Sequence, residues 1–174
     1  NAGMKMNFIL FDDCYMSGIE VAYQLRESSN YLIASTSEMI AYGIPYHIIL
    51  KYLLYDTPDY DALCRDFTSF YKTYTYNLTP MPYGTIAVTD LGYTEEMATF
   101  MKTVNSTHTF DIDKIDDVQD LDVEHYTPTV YFDFGSYLRV LCGDDATTYA
   151  EGTKLLDKLV PYKGTTGMIY SGAG

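Results

Sequence analysis

The chain has 174 residues, 47% of them hydrophobic, and its 24 acidic against 11 basic residues give a net charge of −13. That length and apolar content suffice for one compact domain with a sizeable core. The acidic excess excludes a nucleic-acid partner, whose phosphates would be repelled, and the longest apolar stretch, near Tyr46 to Tyr55, is interrupted by Lys51 and is too short to cross a bilayer.

In chain order, Phe8 to Phe11 reads as a strand and Leu32 to Ser35 as a second, with Ser17 or Gly18 opening a helix to about Glu27 between them. This is a strand, crossover helix, strand unit and points to an α/β fold. Ile48 to Leu54 and Tyr60 to Tyr74 read as helices, with Asp59 or Asp61 as an N-cap for the latter. Pro80 and Pro82 break the pattern before a strand at Thr85 to Thr89. From Tyr93 to Val104 the apolar residues Met97, Phe100, Met101 and Val104 follow one face of a helix that packs on the sheet.

Between Asp111 and Glu124 lie seven acids, Asp111, Asp113, Asp116, Asp117, Asp120, Asp122 and Glu124. Hard cations take clustered carboxylates, but Ile115 stands where a third EF-hand ligand belongs and no glycine follows, so the spacing favours a solvated acidic loop over a calcium site. Tyr137 to Leu141 and Tyr149 to Val160 read as peripheral helices, and Met168 to Tyr170 as a closing strand. Tyr71, Tyr74 and Tyr76 read as amphipathic packing with hydroxyls reaching water.

The chemistry concentrates in FILFDDCYMSGIE, Phe8 to Glu20, where an apolar strand ends in two acids, then a cysteine, then a helix start. Open α/β sheets keep their ligands at such strand mouths, which makes Cys14 a candidate nucleophile. A helix beginning at about Met16 to Ile19 would lower the thiol pKa, whereas Asp12 and Asp13 would raise it, so one of the two carboxylates is expected to bind substrate instead. The competing reading is a buried, inert thiol closing a strand. Cys64 and Cys142 sit in apolar patterns and read as core thiols, and the three cysteines have no metal-ligand spacing.

Three blocks place these residues in a wider pattern: FDDCYMSGIEVAYQL at Phe11 to Leu25, YLIASTSE at Tyr31 to Glu38 and GIPY at Gly43 to Tyr46. The first resembles the strand, Asp-x-Cys, then Glu-x-Ala-aromatic pattern of the clostripain family of bacterial cysteine peptidases, and the others resemble its second strand and its Gly-x-Pro-Tyr turn. Weaker echoes at Gly84 to Leu91 and Tyr131 to Leu141 extend the likeness over nearly the whole chain. The resemblance implies a caspase-like three-layer αβα sandwich with a mostly parallel central sheet and peripheral helices in its C-terminal part. It also implies cleavage after arginine or lysine by a cysteine–histidine dyad, with Cys14 as nucleophile and Asp12 meeting the basic side chain of the substrate. A buried carboxylate meeting guanidinium makes a strong, oriented ion pair. The Cys14 backbone amide is then the first donor of an oxyanion hole, and Glu38, at the mouth of the second strand, either shapes the substrate pocket or caps a turn. Asp13 and Tyr15 depart from the family, which more often has a small residue and an aliphatic one there.

In this family the basic histidine lies on a strand upstream of the cysteine, yet none of the thirteen residues before Cys14 is histidine. His47 reads as the start of a helix, and His108 and His125 as residues of solvated loops. Residues 1–174 are therefore expected to be the cysteine-bearing piece of a caspase-like peptidase domain, its partner a companion N-terminal chain carrying the histidine, separated by autoproteolysis. Other expected partners are peptides or proteins with Arg or Lys; no cofactor is expected, although the family's calcium requirement keeps calcium as a minority reading. The location expected is secreted or cell-envelope associated, in a bacterium. The alternative from another class is a catalytically silent caspase-like module that binds peptides or a partner protein in the same cleft.

Overall fold

The computed structural model describes residues 4–122 and 130–167. The first apolar run forms β1 (Met6–Leu10), followed by helix α1 (Ile19–Leu25) and β2 (Ser29–Ala34). The strands pair in parallel, with Phe8 beside Tyr31 and Leu10 beside Ile33. One crossover helix dictates this, because it carries the chain back to the edge where β1 began. Next come α2 (Tyr46–Leu53) and α3 (Tyr60–Lys72), the latter capped by Asp59, which accepts from the Ala62 N–H at 3.0 Å. A hairpin of β3 (Thr75–Tyr76) and β4 (Thr79–Pro80) precedes β5 (Thr85–Asp90), and then α4 (Thr94–Thr107), α5 (Phe134–Cys142), α6 (Ala146–Leu159) and β6 (Tyr162–Thr165) complete the described chain.

The described sheet has the order β1-β2-β5-β6, and β5 and β6 each run antiparallel to the preceding neighbour. The expected mostly parallel sheet is thus corrected to a mixed one. Its cause is the connection from β2 to β5. Helix α2 leads away from the carboxyl end of β2 and α3 leads back, so that Tyr71 donates its hydroxyl to the carbonyl of Gly43, just before α2. Two spans in place of one return the chain to the edge it left, and β5 must run the other way.

Side chains alternate across the strands and build a core on each face. Ile33, Ile86 and Val88 point toward α2 and α3 and pack with Ile49, Leu63, Phe67 and Tyr71. Leu32, Ala34 and Ala87 point the other way, where Ala22 of α1, Met97 of α4 and Leu159 of α6 cover them. Helices on both faces make three layers, and α5 lies farther out, with Leu138 and Leu141 packed on Val104. Burying each such large aliphatic or aromatic side chain contributes on the order of 1.5–3 kcal/mol.

Several local expectations change. Residues Ile112–Asp117 of the acidic run form a 3-10 helix, whose cap Asp111 accepts from the Asp113 N–H, while Asp120 accepts from the Asp122 N–H. Among the described residues no three His, Cys, Asp or Glu side chains are placed to hold a metal. Glu124 lies outside the described residues. Tyr71 is fully buried and its hydroxyl goes to Gly43 instead of water, whereas Tyr76 stands exposed on the hairpin. β6 is an unexpected strand. Its Gly164 is needed because a Cβ there would come within 2.2 Å of Thr68 Oγ1 and 2.9 Å of the Cys64 carbonyl on α3. The expected strand at Met168 to Tyr170 lies outside the described residues. No described helix is long and apolar enough to cross a membrane.

Candidate active site

At the carboxyl end of β1 the chain leaves the sheet in a turn that carries Asp12, Asp13 and Cys14. Two backbone bonds tie this turn to the strand beside it: the Tyr15 N–H donates to the Ser37 carbonyl at 3.1 Å and the Ser17 N–H to the Ser35 carbonyl at 2.9 Å. Tyr15 adopts φ +58, a left-handed conformation that costs a non-glycine residue about 1–2 kcal/mol. Its surroundings hold it there. The ring stacks on Tyr131 with centroids 4.0 Å apart and planes 7° from parallel, and its hydroxyl lies 3.4 Å from Asp122. Burial first, then Asp122 and Glu38, push the Tyr15 hydroxyl well above the ordinary tyrosine range, so it stays protonated.

Cys14 is half-buried and free of any disulfide. Its Sγ accepts the Met39 N–H at 3.2 Å and faces the Met39 carbonyl at 3.7 Å. Helix α1 begins at Ile19, five residues beyond Cys14. The Cys14 N–H is occupied by Asp13, whose Oδ1 accepts it at 2.8 Å.

Asp12 lies on the same turn and is exposed, not buried as the sequence suggested. Its Oδ1 accepts the Ile44 N–H at 2.8 Å. The approach is possible because residue 43 is glycine at φ +74; a Cβ there would come 2.5 Å from the same oxygen. Asp12 also helps raise the pKa values of the Tyr46 and Tyr71 hydroxyls, in each case after burial. Glu38 is half-buried beyond the end of β2, and its charge contributes to raising both Tyr15 and Tyr83. Cys14, Asp12 and Glu38 therefore share one strand mouth.

The other candidates stand apart. His47 is exposed on α2 with its ring edge-on to Phe70, and His108 ends α4 with Nε2 3.4 Å from Asp145, a paired residue where a solvated loop was expected. Neither bonds to Cys14, and His125 lies outside the described residues. Cys64 is buried on α3, where desolvation, followed by the charge of Asp61, pushes its thiol up to about 12. Cys142 is likewise buried, its thiol raised mainly by desolvation. Both are core thiols.

Sequence reasoning missed the Met39 and Ile44 amides, because backbone donors carry no residue signature. Gly43 was legible as part of GIPY, although its closeness to Asp12 was not. Beyond Tyr15 a groove of about 600 Å³ opens between α1 and α4, lined by Tyr15, Met97, Met101, Tyr131 and Phe134.

A clostripain from Bacteroides thetaiotaomicron, solved with a peptide inhibitor built on the sequence VLTK, superposes with a TM-score of 0.88 at 47% identity, covering 98% of this chain and 72% of that one. A secreted cysteine protease from the same species matches with a TM-score of 0.87 at 47% identity over 95% of this chain and 44% of its own. An inactive zymogen from Parabacteroides distasonis matches at 27% identity with a TM-score of 0.79, over 96% of this chain and 48% of its own. No curated protein matches. The clostripain family model covers residues 1–158, and the chain belongs to the clostripain family of cysteine peptidases, with their caspase-like fold.

Proposed function

We propose that the protein is an endopeptidase that cleaves after arginine or lysine, with Cys14 as its nucleophile and Asp12 as the acid that meets the basic side chain. One observation carries this reading: a half-buried thiol accepts a backbone N–H at 3.2 Å on the same turn as an exposed carboxylate that is anchored at 2.8 Å. The thiolate attacks the scissile carbonyl carbon and the thiol proton passes to a histidine. That histidine then protonates the leaving amine, and water hydrolyses the thioester. The developing oxyanion takes the Cys14 N–H, displacing the Asp13 carboxylate that holds it at rest. Glu38 adds a second negative charge at the same mouth and favours a cationic substrate side chain. The lysine that ends the VLTK sequence of the similar clostripain's inhibitor supports the specificity.

The histidine belongs to a companion segment. Among the described strands β1 forms the edge of the sheet, pairing with β2 alone, and its Met6 is half exposed. A further strand laid parallel along that edge would end beside Cys14 and deliver a histidine to the sulfur. The greater length of the similar proteins, and the zymogen among them, support maturation by cleavage and export from a bacterial cell.

The test incubates the intact protein, companion segment included, with fluorogenic peptides ending in arginine or lysine. Cys14→Ala is expected to abolish cleavage, and Asp12→Ala to weaken it selectively for basic residues. A correctly processed parent that cleaves neither peptide would leave a silent binding module.

A further inference from the structure

Beneath the Cys14 turn lies a knot of hydroxyls that the proposed chemistry does not use. Ser35, Thr36 and Ser37 follow β2, and all three are essentially buried, as is Thr85 at the start of β5. Thr85 Oγ1 is the shared centre. It lies 2.9 Å from Ser35 Oγ, 3.0 Å from Thr36 Oγ1 and 2.9 Å from Ser37 Oγ, and it accepts the Thr36 N–H at 3.2 Å. Ser35 Oγ also donates to the Ser37 carbonyl at 2.9 Å, and Thr85 accepts from Thr36, while either oxygen is the donor in its contacts with Ser35 and Ser37. Four polar groups of one short segment thus converge on a single oxygen from another strand.

That segment is what holds the nucleophile. The Ser37 carbonyl accepts the Tyr15 N–H and the Ser35 carbonyl the Ser17 N–H, on either side of the left-handed residue that follows Cys14. Two residues beyond Ser37, the Met39 N–H is aimed at Sγ. A strained turn persists only where its surroundings over-determine it, and a misplacement of about 1 Å at a reacting atom costs on the order of a hundredfold in rate.

We propose that Thr85 is a positioning residue for the nucleophile: its hydroxyl fixes residues 35–37, which fix the Cys14 turn and place the Met39 amide on the sulfur. This rests on the reading of Cys14 as nucleophile. Thr85 touches no substrate, so its loss acts on the chemical step and not on binding.

Thr85→Val keeps the branched shape and removes the hydroxyl, while Thr85→Ser keeps the hydroxyl and removes the methyl. In the intact protein Thr85→Val is expected to lower kcat at least tenfold with KM within twofold, and to slow alkylation of Cys14 by iodoacetamide in parallel. Thr85→Ser is expected to restore both to within threefold. Ser35→Ala, which deletes one spoke and leaves the centre, gives an intermediate loss and decides the matter if Thr85→Val fails to fold. Parent-like kcat and alkylation in Thr85→Val, or in a folded Ser35→Ala if Thr85→Val does not fold, would overturn the proposal. So would an equal loss in Thr85→Ser, which would assign the effect to packing. If the parent cleaves no peptide, the peptidase reading falls, and the alkylation rates still decide the role of Thr85.

Discussion

Cys14 and Cys64 carry the same side chain and opposite prospects. Cys14 stands at a strand mouth, half-buried, with a backbone N–H on its sulfur and two carboxylates on its own turn. Cys64 sits inside α3, packed against β6 and the core, and desolvation holds its thiol at about 12. Reactivity is therefore a property of the ground around a thiol. At the mouth that ground is assembled from four separate stretches of chain, around residues 12, 37, 44 and 85.

The largest effect expected from this contrast is on stability in alkali. Below pH 9 the Cys64 thiol is protonated in the folded and the unfolded chain alike and leaves stability untouched. As pH rises the unfolded chain ionises first, and stability falls until the folded thiol ionises near 12. The full displacement corresponds to about 4 kcal/mol, acquired at roughly 1.4 kcal/mol per pH unit. Denaturant titrations of the parent and Cys64→Val between pH 8 and pH 11, a window chosen to bracket this onset, are expected to diverge progressively, the variant losing less. Superimposable curves would mean that Cys64 is not the shielded thiol described here.

At the mouth, Gly43→Ala tests whether the ground matters as much as the thiol. The substitution forces a Cβ to within 2.5 Å of Asp12 Oδ1 and places alanine at φ +74. It is expected to cost about 1–2 kcal/mol of stability through the backbone. It should also lower kcat/KM for arginine peptides by about tenfold, as Asp12 loses the Ile44 amide. Labelling of Cys14 is expected to change little, since its own bonds run to Met39 and Asp13. A variant with parent-like selectivity for basic residues would detach Asp12 from substrate recognition.

How much of this was legible depends on the kind of interaction. The β1, α1, β2 unit and the helix from Tyr60 follow from apolar spacing and a cap, local signals that the structure keeps. The α/β layering was legible for the same reason. The direction of β5 was not, because it depends on how many spans separate two strands in space, and nothing in Thr85 to Asp90 records that. The β3–β4 hairpin was hidden because Asn77 and Leu78 both take positive φ, a turn in which leucine is unusual. β6 was hidden because a glycine chosen for contact with α3 weakens its strand pattern. Of the site, Cys14, Asp12 and Glu38 were readable as residue types at a strand mouth. The amides of Met39 and Ile44 and the hydroxyl of Thr85 were not, since they matter by position alone.

The smallest effect expected concerns Tyr15, and it separates two ways in which the mouth holds its shape. The ring stacks on Tyr131 at 4.0 Å, whereas the hydroxyl reaches Asp122 over a long 3.4 Å. Stacked aromatic pairs contribute about 0.5–1.5 kcal/mol beyond their buried area, and a long hydrogen bond less than the usual ~1 kcal/mol. Tyr15→Phe keeps the ring and the left-handed backbone and loses only the longer contact. Its melting temperature is expected to fall by no more than about 2–3 °C, and Cys14 is expected to alkylate at the parent rate. Tyr15→Ala removes the stack but leaves a Cβ residue at φ +58, and should show slower, less uniform labelling as the turn loosens. If Tyr15→Phe instead disturbed Cys14 as much as Tyr15→Ala, the Asp122 contact would be what holds the turn. Cys14 would then depend on the acidic segment as well as on the hydroxyls around Thr85.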